Sequence, residues 1–180
     1  MKERTKQIEL NMEQLRAIGS WAADCAKKAL SIYEDRDGSD SRPREAIEGV
    51  RVFANGGKRT AQLRKLALAA FSAAREIGDE AAAATARAAC LAASSAYTHP
   101  LADVDQTKHI VGAAAYAALA IELDQCGDEQ KGEEVVLWAI EHAPNEAWAI
   151  LMQMPPRTPG KSRLDRLMYE VDAGIRGKII

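Results

Sequence analysis

The chain has 180 residues and 19.5 kDa, a length that favours one domain with a core needing no metal or disulfide staple. Apolar residues make up 47 %, aromatics only 5 % and charged residues 28 % in both signs, for a net charge of −2. This balance excludes a disordered polyelectrolyte and gives no support to nucleic-acid binding through bulk positive charge. Alanine stands where aromatics are scarce, which points to closely packed helices.

In chain order, Ile8, Leu15, Ile18, Ala22, Cys25, Ala29 and Ile32 fall in steps of three, four and seven. This stripe predicts one long first helix, with Gly19 as a candidate bend. Asp35 to Ser41 reads as a loop, and Pro43 suits the first turn of a second helix that stops at Asn55-Gly56-Gly57. Thr60 is a candidate cap for a third helix carrying Leu63, Ala67, Ala70, Ala74 and Ile77, and Gly78-Asp79 ends it and starts the next. The fourth, from about Glu80 to Tyr97, is nearly all alanine with Arg87 as its interior charge, which predicts a place in the middle of a bundle.

Asp103 or Asp105 restarts the chain into a fifth helix running to about Gln125, with Ile110, Ala114, Ala117 and Ile121 inward. Gly127 and Asp128 mark the stop and the next cap, and the sixth helix carries Val135, Trp138 and Ile140 before Pro144. A short seventh holds Trp148, Leu151 and Met152. Pro155-Pro156-Arg157-Thr158-Pro159-Gly160 reads as a stiff, linker-like break, and Ser162 with Asp165 caps a last helix with Leu164, Leu167, Met168, Val171 and Ile175 on one face. The expectation is an all-α, single-domain bundle of seven or eight helices with an Ala-rich central helix.

Chemical motifs are few. Gly160-Lys161-Ser162 ends like a phosphate loop, but Pro155 stands where the first glycine belongs, and Val52 does the same to Gly57-Lys58. His99 and His109 flank a loop with Asp103 and Asp105, yet their spacing is not that of a helix-borne metal pair, and the two acids suit helix caps. His142 fits a favourable charge at a helix C-terminus. Cys25, Cys90 and Cys126 lack C-x-x-C spacing and read as thiols of a reduced protein. No nucleophile motif, metal site or cofactor is expected, and no enzyme. The charged start Met1-Lys2-Glu3-Arg4-Thr5-Lys6 predicts no signal peptide. Ile110–Leu123 is shorter than the roughly 20 residues of a bilayer span. A soluble, cytoplasmic protein without membrane contact is expected.

Charge divides unevenly along the chain. Residues 1–90 hold 16 Lys and Arg against 13 Asp and Glu, whereas residues 91–180 hold 8 against 13. Glu122, Asp124, Asp128, Glu129, Glu133, Glu134, Glu141 and Glu146 are offset only by Lys131, and form a candidate acidic surface for a basic partner. A second constellation pairs Trp21 and Asp24, one turn apart, with Arg42 and Arg44 at the next helix start. Asp24, Glu45 or Glu48 would answer those cations in a structural tie. The sharper alternative is a ligand or catalytic pocket of Asp24, Arg42, Arg44, His99 and His109. Trp138, Trp148, Met152 and Met154 form a candidate homodimer face, with core burial explaining them equally.

Trp21-Ala-Ala-Asp24-Cys-Ala, Arg42-Pro43-Arg44 with Ala-Ile-Glu, Leu63-Arg64-Lys65, Ala73-Ala74-Arg75, Ala86-Arg87-Ala88-Ala89, His99, and His109-Ile-Val-Gly112-Ala-Ala-Ala-Tyr116-Ala together resemble the Imm-5-like putative immunity proteins of bacteria. The resemblance spans roughly residues 14 to 122, with residues 123–180 as C-terminal helices packed on that core. It implies a protein that neutralises a cognate polymorphic toxin by binding it. The family often carries histidine where this chain has Phe71, and Gly-His where it has Ala89-Cys90. If those histidines formed a site, this chain lacks part of it.

Overall fold

A computed structural model describes residues 6–178, so the charged start Met1–Thr5 lies outside the described residues. Among the described residues nine α-helices are present: α1 (Met12–Lys27), α2 (Leu30–Arg36), α3 (Arg42–Ala54), α4 (Ala61–Glu76), α5 (Glu80–Ser94), α6 (Lys108–Asp124), α7 (Glu129–His142), α8 (Asn145–Leu151) and α9 (Arg163–Arg176). Two 3₁₀ turns, Ser95–Tyr97 and Val104–Thr107, follow α5 and precede α6. The all-α expectation holds, with one helix more than the expected range.

The extra helix comes from the first predicted segment. Residues 6–8 run extended beside the loop at residue 100, with Ile8 N–H donating to Pro100 O at 3.1 Å, and α1 begins only where Asn11 and Gln14 form a reciprocal capping box. The helix then passes straight through Gly19 and breaks at Lys28-Ala29 instead. The buried Thr85 hydroxyl on α5 lies 3.2 Å from Ala29 O and 3.1 Å from Ala81 O, so a side chain covers the carbonyl at the break.

Most other boundaries obey local capping chemistry. The Thr60, Asp79, Asp128 and Ser162 side chains accept from backbone N–H groups in the first turns of α4, α5, α7 and α9. Gly127 closes the α6–α7 turn with a φ of 81°, where any side chain would be strained. Pro43 sits in the first turn of α3. The fourth helix gives way at Ser95 to a 3₁₀ turn, and the fifth starts at Lys108 after the turn that Asp103 caps.

The Ala-rich α5 is central, packing against α1, α2, α3, α4 and α6. Its inward face is Ala81, Ala82, Ala84, Thr85, Ala88, Ala89 and Ala92, all buried, and small side chains let its neighbours approach on several sides. Helix α6 extends the core to α7 and α9, and α8 closes it against α1 and α9. Trp21, expected in a polar cluster, is buried and donates its indole N–H to Ala139 O on α7 at 3.0 Å.

The proline-rich break is fastened down. Asp172 on α9, 1 % exposed, accepts from Arg157 N–H at 3.1 Å and from Arg176 Nε at 2.9 Å. The Arg157 guanidinium donates to the Thr107 hydroxyl at 2.8 Å, and Arg176 donates to Met154 O and Pro155 O. No helix among the described residues is long and apolar enough to cross a membrane.

Candidate protein-binding surface

The acidic run does not lie on one plane. Glu122 is 5 % exposed and receives the Arg163 Nε at 3.0 Å, so it faces α9 and is closed to a partner. It drops out of the candidate surface, because a carboxylate at that depth needs its cation. Asp124 is half-buried and held by Arg36 at 2.6 Å, and the Asp128 carboxylate accepts from Gln130 N–H as the α7 cap. Glu129, Glu133 and Glu134 remain on the outside of α7. Lys131 binds Glu134 at 3.0 Å, while Arg163 stands 3.8 Å from Glu129.

Beside these acids, α7 and α9 approach closely enough to form a groove. A Cβ on Gly174 would come within 2.2 Å of Ile140 Cδ1, and one on Gly132 within 2.5 Å of the Glu122 carboxylate. The two glycines therefore set the spacing of α7 against α9 and α6. The groove has a volume of about 360 Å³ with Val136, Leu137, Ile140, Tyr169 and Ala173 on its floor and walls, and Glu133 and Glu170 at its rim. Leu137 is 67 % exposed, the most exposed of the large hydrophobic residues of the described chain. Sequence reasoning found the acids but missed Leu137, Tyr169 and Glu170. The available signal was Leu137 standing one place off the inward stripe of Val136 and Ala139.

The second constellation separates into local ties. Asp24 pairs with Arg51 at 2.7 Å, not with Arg42 or Arg44. Arg42 at the α3 start is answered by Asp40 at 2.7 Å and by Glu76 of α4 at 2.7 Å. Asp40 also accepts the Tyr33 hydroxyl at 2.6 Å, and the Arg42 hydrogen bonds hold its carboxyl well below the usual range. Arg44 makes a two-pronged contact to Glu34 at 2.7 and 2.8 Å. None of these side chains bonds to His99 or His109, so the five-residue pocket does not assemble. The cations of α3 tie α2, α3 and α4 together.

His99 is exposed and His109 half-buried at the start of α6, with His109 Nδ1 lacking a hydrogen-bond partner among the described residues. Burial, the Lys108 ammonium and His99 push the His109 pKa down to about 4. Between pH 6.5 and 4 the unfolded chain therefore takes up a proton that the fold refuses, and stability falls as pH drops through that window. After allowance for remaining solvent contact the loss is about 1–3 kcal/mol. Denaturant unfolding across this range should show it, and His109→Gln should flatten the profile; an unchanged slope would exclude His109 as its source.

Tyr116 stands elsewhere, in a cavity of about 250 Å³ with Phe71, Arg87, Cys90, Leu91, Lys108 and Met168. Phe71 and Cys90 line the same space. The four residues considered for a homodimer face do not share a surface. Met154 is 3 % exposed, Trp148 packs on the core, Trp138 lies between His142 and Lys28, and only Met152 is largely free. Among the described residues no three His, Cys, Asp or Glu side chains are grouped to hold a metal ion.

The sequence model of a family described as Imm-5 like putative immunity protein matches residues 9–146. No curated protein and no solved structure matches the chain.

Proposed function

The chain belongs to the family described as Imm-5 like putative immunity protein, and from that membership we propose that it neutralises a cognate toxin by direct, non-enzymatic contact through the α7–α9 groove and its acidic rim. The observation that carries this reading is an exposed leucine at the mouth of an apolar groove, set among carboxylates on both helices. Interfaces take their affinity from a few buried apolar anchors and their association rate from complementary charge at the rim. Leu137, Val136 and Tyr169 suit the first role, and Glu129, Glu133, Glu134 and Glu170 the second. A stable interface buries about 1,600 Å² in total, so the partner would extend past the groove along the outer face of α7. A basic toxin surface with an apolar protrusion is the complementary shape.

The partner is to be identified by pull-down from the native host and mass spectrometry, then studied with purified proteins over a salt series. Reversing Glu129, Glu133 and Glu134 to Lys should slow association about ten-fold at low salt and weaken its salt dependence. Leu137→Asp should chiefly speed dissociation, by about ten-fold or more. If the identified toxin binds both variants as it binds the wild type, the groove is not the contact surface.

A further inference from the structure

The cavity shared by α4, α5, α6 and α9 has a chemistry of its own and shares no lining residue with the α7–α9 groove. Its walls are largely apolar, from Phe71, Leu91 and Met168. Three residues with polar side chains also line it: Arg87, Tyr116 and Lys108. The Arg87 guanidinium carbon lies over the Phe71 ring, 4.0 Å from its centroid, a cation–π contact that uses none of its N–H donors in a hydrogen bond. A guanidinium has five N–H donors in its plane, and among the described residues none of them finds an acceptor. Neither the Tyr116 hydroxyl nor the Lys108 ammonium has a hydrogen-bond partner among the described residues.

Several other half-buried arginines are matched by carboxylates, whereas Arg16, Arg157 and Arg166 donate to backbone or hydroxyl oxygens. Arg42 has Asp40 and Glu76, Arg163 has Glu122, and Arg176 has Asp172. At Arg87 no carboxylate closes the arrangement. The Asp165 carboxylate, whose charge reaches Tyr116, already accepts the Ser162 hydroxyl at 2.6 Å, while the Asp165 N–H donates to Ser162 Oγ. An adjoining cavity of about 370 Å³ also touches Arg87 and Tyr116, but Glu80 lines it and makes that side less suited to an anion. The inner cavity offers donors, positive charge and apolar walls, with no acid among its lining residues.

We propose that this cavity is a binding site for a small organic acid, a carboxylate carried on a flat apolar body, with Arg87 as the principal anion-binding residue and Tyr116 and Lys108 as secondary donors. A planar carboxylate matches the guanidinium edge in a two-pronged contact. The apolar body would lie against Leu91 and Met168. A volume of about 250 Å³ is below the usual range for drug-sized ligands, which restricts the occupant to about the size of a single ring with its acid group. This proposal stands apart from toxin binding at the groove, and either can fail alone.

Benzoate and its neutral near-isostere benzamide are the probes. Calorimetry on the full chain should show benzoate binding at least about ten-fold more tightly than benzamide, the scale of one charge-assisted contact. Arg87→Gln should weaken benzoate about ten-fold and leave benzamide unchanged, with circular dichroism confirming the fold. Equal binding of the two probes, or benzoate binding that Arg87→Gln does not alter, overturns the site. A second readout needs no variant: benzoate at about 10 mM, well past the millimolar scale of weak sites, should move the Met168 methyl resonance and leave exposed Met12 and Met152 in place. A Met168 signal that stays fixed overturns the proposal equally.

Discussion

Arg163→Ala is expected to destabilise the fold by about 3–5 kcal/mol, because it strands the Glu122 carboxylate at 5 % exposure with no cation. The opposite truncation should cost clearly less. In Glu122→Ala the guanidinium keeps Glu129 at 3.8 Å and Glu170 at 3.7 Å, both nearer the surface. The asymmetry is the useful part of the measurement, since a pair of equal surface ions would lose little from either side. Chemical unfolding of both variants decides it. Equal losses would mean that Glu122 is not confined as the structure places it. Because the same pair anchors α9 to α6, the surviving Arg163→Ala protein should also bind any partner of the proposed α7–α9 groove less well than its folded fraction alone accounts for.

The second large effect is expected at Asp172. This side chain joins Arg176 and the Arg157 backbone; its loss leaves the Arg157 N–H without an acceptor and the Arg176 guanidinium without a carboxylate, with only the Met154 and Pro155 carbonyls to accept from it. Asp172→Ala should cost about 3–5 kcal/mol, and the double change Asp172→Leu with Arg176→Met should cost less than the single one, since apolar replacement of a buried pair is often neutral. The proline-rich segment gives an independent readout. Once released it should be cut by trypsin after Arg157 and Lys161 much faster than in the wild type. If Asp172→Ala leaves both unfolding and cleavage as they were, the segment is held by its prolines and by the Arg157–Thr107 and Arg176–carbonyl contacts instead.

What the sequence made legible follows the range of the interaction. Asp79, Asp128 and Ser162 bond to amides two or three positions away, and each boundary they set was readable from local spacing. The break at Lys28-Ala29 was not, because Cys25, Ala29 and Ile32 keep a helical stripe across it. The hydroxyl that covers Ala29 O belongs to Thr85, 56 positions later. Asp24 posed the same difficulty. Arg42 and Arg44 are nearer in the sequence, but the way α1 lies across α3 brings Arg51 to it instead.

The candidate binding surface was half legible for a related reason. Charge along a chain shows that acids are abundant but not which of them turn inward. Glu122 and Glu133 look alike in the run from 122 to 146, yet one is closed off by Arg163, 41 positions away, and the other rims the groove. The groove itself needed α9. Its apolar floor comes from two helices separated by the proline-rich segment, and only their packing at Gly174, with α7 seated on α6 at Gly132, brings Leu137 and Tyr169 to one place.

The family match stops at residue 146, so one wall of the groove lies within the shared segment and the other lies beyond it. On α9, Tyr169, Glu170 and Ala173 look into the groove, while Leu167, Val171, Asp172 and Ile175 are buried against the bundle. The two sets occupy different sides of one short helix. On the proposed reading of the groove, recognition can therefore be retuned like a lock with an interchangeable plate: three side chains on α9 can be exchanged for others, and the alanine-rich interior that keeps the protein folded is left untouched.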